Sequence, residues 1–142
     1  MSRPDAFNGA MSVASIWLHD LRMELGTSDE KRAHEAFLFV CHALRDRVTQ
    51  EHVANLGNQL PLFARGLFYD DWHPAQKPLK TKNRRAFLTE VYKMYGGRLP
   101  YSDIEKTVRS MFKFLAGYLP MQEARSLRSH LPAPIQGLWP AW

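Results

Sequence analysis

Apolar positions recur along most of this chain at three- and four-residue steps, and no stretch alternates with the two-residue period of a strand. Ala14, Trp17, Leu18, Leu21 and Leu25 mark one face of a first helix over about residues 12–25. Gly26 follows, where a helix end favours a residue that tolerates left-handed backbone. Thr27 and Glu30 have the spacing of a capping box and open a second helix over about residues 28–47. Its stripe is Ala33, Phe37, Val40, Cys41, Leu44 and Val48. Thr49 caps a short third helix that runs to about Asn58, with Val53, Leu56 and Leu60 turned inward. Pro61 sits in the first turn of a fourth, where a missing N–H does no harm, and that helix ends near Tyr69.

The same plan then returns. Phe87, Leu88, Val91, Tyr92 and Tyr95 line a helix that stops at Gly96-Gly97. Ser102 and Glu105 have capping-box spacing, and Ile104, Val108, Met111, Phe112, Leu115 and Tyr118 form the next long stripe. Pro120 opens a shorter helix. The segment Leu60-Pro61 with Gly66-Leu67-Phe68 is matched by Leu131-Pro132 with Gly137-Leu138-Trp139, each position 71 residues on. Gly97 stands 71 past Gly26, Met94 past Met23, Leu115 past Leu44 and Leu127 past Leu56. The expected fold class is therefore all-α: two tandem repeats of about four helices each, over residues 12–69 and 84–140, with a connector over 70–83. A unit of that size leaves its apolar stripes uncovered alone, so the copies should pack into one compact bundle. Residues 1–11 are expected to be a flexible tail, with Met11 an alternative start, and residues 12–142 a single helical domain.

Composition narrows the class without naming an activity. At 142 residues, 45% hydrophobic and 23% charged, the chain fits one globular domain and not a disordered one. No apolar run approaches the roughly 18 residues that cross a bilayer, and no secretory leader is evident, so a cytoplasmic location without membrane partners is expected. Cys41 is the single cysteine and sits in an apolar stripe, which reads as a buried structural thiol. The net charge of +5 is unevenly spread. Through residue 76 there are seven Lys/Arg against ten Asp/Glu, and from Lys77 onward twelve against four. Halves of opposite sign suit either self-association or an anionic partner.

The search for chemistry finds little. His34 and His42 are eight apart, and no pair of histidines has the helical spacing of a zinc or di-iron site. Serines fall mostly at caps or in loops, the one base within a turn of Cys41 is His42, which points to a different side, and Gly96-Gly97 follows a helix, unlike a phosphate-binding loop. Asp70-Asp71 end a helix, where negative charge meets the negative pole of the dipole; either a nearby arginine such as Arg65 offsets it or Trp72 packing dictates the geometry. The connector is long for a helix connection and carries Trp72 before a run of cations. Lys77, Lys80, Lys82, Arg84 and Arg85 suit phosphates, with Trp72 and Tyr69 placed to stack on bases. Trp139 should be core, as the counterpart of Phe68, whereas Trp142 is free of that constraint.

Several segments then resemble a known bacterial family. They are His42-Ala43-Leu44-Arg45-Asp46-Arg47-Val48-Thr49, Asn58-Gln59-Leu60-Pro61, Arg65-Gly66-Leu67-Phe68-Tyr69, Trp72-His73-Pro74 with Lys77-Pro78, and Phe87-Leu88. In this order they resemble the family called domain of unknown function 2267, over roughly residues 15–140, with a departure at Ala64 where the family carries a larger aliphatic. The resemblance implies a small, helical, bacterial, cytoplasmic protein and implies no catalytic residues. The leading expectation is a protein-interaction module, either an adaptor or a self-associating one. The alternative is a basic binder of nucleic acid or another anionic ligand; an enzyme with an unrecognised site comes third. Candidate binding residues are Arg65, Trp72, Lys77, Lys80, Lys82, Arg84, Arg85 and Trp142, with no catalytic residue, metal ligand or cofactor assigned.

Overall fold

A computed structural model describes the backbone of residues 3–141. Among these residues it has eight α-helices, one 3-10 turn and no strand. The helices are α1 (Arg3–Leu25), α2 (Glu30–Arg45), α3 (Gln50–Gln59), α4 (Leu62–Tyr69), α5 (Arg84–Tyr95), α6 (Ile104–Tyr118), α7 (Met121–His130) and α8 (Ala133–Gln136). The 3-10 turn, Tyr101–Asp103, leads into α6.

Local chemistry explains most of the boundaries. Gly26 and Gly96 both take left-handed backbone, at φ 69° and 59°, immediately after α1 and α5. Thr49 caps α3 by accepting from the His52 N–H, and Asn83 caps α5 by accepting from the Ala86 N–H. Two expected capping boxes are replaced. Asp29 caps α2 by accepting from the Lys31 N–H, while Thr27 Oγ1 accepts from the Asp29 N–H one step earlier. Ser102 lies inside the 3-10 turn, so α6 starts two residues later. The largest difference is at the N-terminus, where α1 begins at Arg3 instead of near residue 12. The apolar period is readable only where the helix meets the core; Phe7 and Met11, further out, are 58% and 48% exposed.

One core cluster runs through the whole chain. Trp17 of α1 sets its ring edge-on to Phe37 of α2 and Phe114 of α6, with centroids 4.8 and 5.4 Å away. Phe112 packs on Trp139 at 5.3 Å, and both are buried, as are Phe68, Leu44, Leu115, Leu56 and Leu127. The packed pairs include α1 with α6, α2 with α5, α2 with α6, and α3 with α7. Helices α1 and α5 also meet α4 and α8 respectively. No helix among the described residues is long and apolar enough to cross a membrane.

Candidate functional site

The connector between Tyr69 and Arg84 is irregular, as its prolines require, and is tied down at its middle. The Leu79 N–H donates to Asp46 O at 2.7 Å, fastening the segment to the end of α2. Trp72 is half-buried, and its ring packs on that of Tyr69 with centroids 5.7 Å apart. Lys80, Lys82 and Arg85 are exposed; Lys77 and Arg84 are half-buried. Arg84 lays its guanidinium across Gly137, where a Cβ would collide with it. None of these five cations lies within ion-pair distance of a described carboxylate.

Arg65 has a structural position. Its Nη2 donates to the carbonyls of Leu60 at 3.1 Å and Asn58 at 3.4 Å, closing the C-terminal end of α3. It does not offset Asp70-Asp71. The buried cation at this helix end is Arg45, which sequence did not single out: its side chain is 3% exposed, and its Nη1 donates to the backbone oxygens of Phe68 at 2.8 Å and Asp70 at 2.9 Å. These are carbonyls that the end of α4 leaves without an intrahelical partner. His42 adds a third contact to the same helix, its Nε2 lying 2.7 Å from Leu67 O. Trp142, the last candidate, lies outside the described residues.

A groove of about 380 Å³ lies elsewhere, between α1, α2 and α4. Its floor is Trp17, Leu21 and Phe37, and its walls include Ala14, Leu18, Phe63 and Leu67. Only Glu30, Lys31 and His34 bring charge or a titratable ring to its rim. Phe63 is 45% exposed at the mouth. Sequence reasoning placed Leu18 and Ala14 on the inner face of α1 but left α4 without an outer face. The signal was present in Leu62-Phe63, two large apolar residues on the first turn of an eight-residue helix.

Burial shifts a few ionisable groups elsewhere in the fold. A second, more polar cavity of about 260 Å³ is lined by Glu35, Tyr95 and Arg98 among others. There Arg98 Nε holds Glu35 at 2.6 Å, and burial, with Glu35 adding to it, pushes Tyr95 up to about 12. Burial likewise drives the Cys41 thiol upward, so it stays protonated at neutral pH. His52 and His130 stack at 4.3 Å across the α3–α7 contact, and His52 is lowered by burial and by His130. Among the described residues no three His, Cys, Asp or Glu side chains converge as metal ligands would.

No curated protein matches this chain. One family model does, over residues 14–138, which takes in the groove, the connector and the two arginine-capped helix ends. The chain thus belongs to the family described as an uncharacterized conserved protein, DUF2267.

Proposed function

We propose that this protein is an interaction module that docks an apolar helical segment in the groove between α1, α2 and α4. A bacterial cytoplasmic setting goes with that reading. The observation that carries it is the groove's lining, in which apolar side chains from three helices meet and charge is confined to one rim. A soluble domain that only needed to cover its core would close such a cleft or face it with polar groups. The frame would be two copies of one unit, residues 12–69 and 84–140. Paired details support that duplication: Arg65 donates to Asn58 O and Leu60 O, and Gln136 donates to Ser129 O and Leu131 O, every one of these positions 71 apart.

A hydrophobic dye tests the docking reading. The expected result is blue-shifted, enhanced bis-ANS fluorescence on the folded wild type at low protein concentration. It should be lost in Phe63→Asp with the far-UV circular dichroism unchanged. A folded wild type that leaves the dye dark would overturn it. Anionic-ligand binding by Lys77, Lys80, Lys82, Arg84 and Arg85 is the lesser reading, because Trp72 is turned onto Tyr69. An electrophoretic shift of mixed DNA and RNA that vanishes when Lys80, Lys82, Arg84 and Arg85 are replaced would reverse that order.

A further inference from the structure

We infer that the occupant of the groove is α1 of a second copy of this chain, paired antiparallel about a twofold axis at Ala14. The inference rests on the docking reading above and specifies its partner. Its first support is the spacing on α1. Phe7, Ala14 and Leu21 are seven apart, as are Ala10 and Trp17, and as are Met11, Leu18 and Leu25. A seven-residue repeat places all eight side chains on one face over three heptads, the signature of a helix that packs along its length on another helix. One end of that face is used within the molecule: Leu21 is fully buried and Trp17 is 8% exposed. At the other end, Phe7 and Met11 are 58% and 48% exposed.

The second support is where the groove lies. It opens beside the middle of the same face, where Ala14 and Leu18 meet Phe63 and Leu67 of α4. Projection and socket therefore sit side by side on one surface, which is what a twofold contact requires of the patch it joins. An axis at Ala14 brings Phe7 of one copy to the level of Leu21 of the other, about 10 Å along the helix from the axis. Met11 comes level with Trp17, over the groove floor. Ala10 and Ala14 are small enough to let the two helices approach to about 8 Å. Antiparallel helices also oppose their dipoles favourably. A foreign helix laid in the groove would leave Phe7 and Met11 in water, whereas a second copy covers both surfaces at once.

The area is of the right size. Phe7, Met11 and Phe63, with the half-buried Ala10, Ala14, Leu18 and Leu67, offer about 450 Å² of apolar surface per copy, taking ~200 Å² for a fully exposed large side chain. A standard interface covers about 800 Å² per partner, a little over half of it non-polar. The two figures agree without recruiting any other part of the surface.

Sedimentation equilibrium of the full chain over the micromolar range tests the proposal. The wild type should sediment at twice the 16.4 kDa protomer mass. Combined Phe7→Glu and Met11→Glu, both at exposed positions, should weaken the dimer by at least about a hundredfold with helicity unchanged. Ala14→Cys should give a disulfide-linked dimer on mild oxidation, since the native Cys41 is buried, and His19→Cys, on the opposite side of α1, should not. A wild type that stays monomeric at about 100 μM, some tenfold above a typical transient Kd, sinks the second copy. If the dye still binds such a monomer, the groove reading survives alone. A dimer that withstands the two glutamates, or one that cross-links at His19 in preference to Ala14, also overturns it.

Discussion

Arg45 shows how a single buried charge organises one corner of this molecule. Its guanidinium is almost entirely removed from water and is held by Asp46 at 3.0 Å and by two carbonyls at the end of α4. Those carbonyls face the interior end of a helix, where an apolar side chain has no donor to give them. Arg45→Met keeps the length and the apolar stem but strips both carbonyls of their partner. The expected cost is about 2–4 kcal/mol, because each buried acceptor left unmade forfeits on the order of 1–3 kcal/mol. Urea denaturation should show it as a lower midpoint with an unchanged slope. A midpoint within error of wild type would mean that water replaces the guanidinium. Gly57 is a second position where identity follows from contact: the Tyr69 ring lies where a Cβ would stand, and Tyr69 Oη donates to Val53 O at 3.4 Å.

At the scale of elements, the helices were readable because each carries its own stripe and its own stop. Gly26, Thr49, Pro61 and Gly96 act on their immediate neighbours, so sequence alone placed the ends they set. The start of α1 was hidden for the opposite reason: Phe7 and Met11 touch no core, and an apolar residue without a visible partner reads as tail. Contacts between elements distant in sequence were hidden too. Arg45 reaches α4 across 23 residues, and the cluster of Ala14, Leu18, Phe63 and Leu67 exists only once α4 folds back on α1. The His52–His130 stack joining α3 to α7 belongs with these, and it has a consequence for pH. His52 faces His130 and Glu123 from α7 and Glu51 from its own helix, and burial and His130 together hold its pKa below the ordinary 6.5. His42, facing Arg45, Asp46 and Asp70, is lowered too, chiefly by burial. Both are protonated more readily when unfolded, so the unfolded chain takes up protons first as pH falls below about 6.5. Stability should therefore be full above that pH and lower below it, compared for instance at about pH 7.5 and about pH 5.5. The urea midpoint at the two pH values measures it, and His52→Gln should flatten the decline. An equal slope in that variant would place the dependence elsewhere.

At the scale of the whole molecule, the two halves of the chain share one core cluster. Each half gives its longest stripes to the other: α1 lies on α6, and α2 lies on α5 and α6. The ring of Trp17 is held between Phe37 from its own half and Phe114 from the other. The Arg47 guanidinium sits 5.4 Å over the Phe87 ring, again across the divide. Splitting the chain in the connector would take α6 away from α1 and α2, and α5 away from α2, leaving uncovered the part of each stripe that faces the other half. Thermal unfolding should consequently be a single transition. Tryptophan fluorescence reports the core through Trp17 and Trp139, both buried, and far-UV circular dichroism reports all eight helices. The two curves should coincide. A fragment ending at residue 76 and one beginning at residue 77 should each lack a cooperative melt when expressed alone. Two resolved transitions in the intact chain, or a cooperative melt in either fragment, would show instead that each unit closes its own core. The stripes of α2 and α6 would then have to be covered from within their own halves.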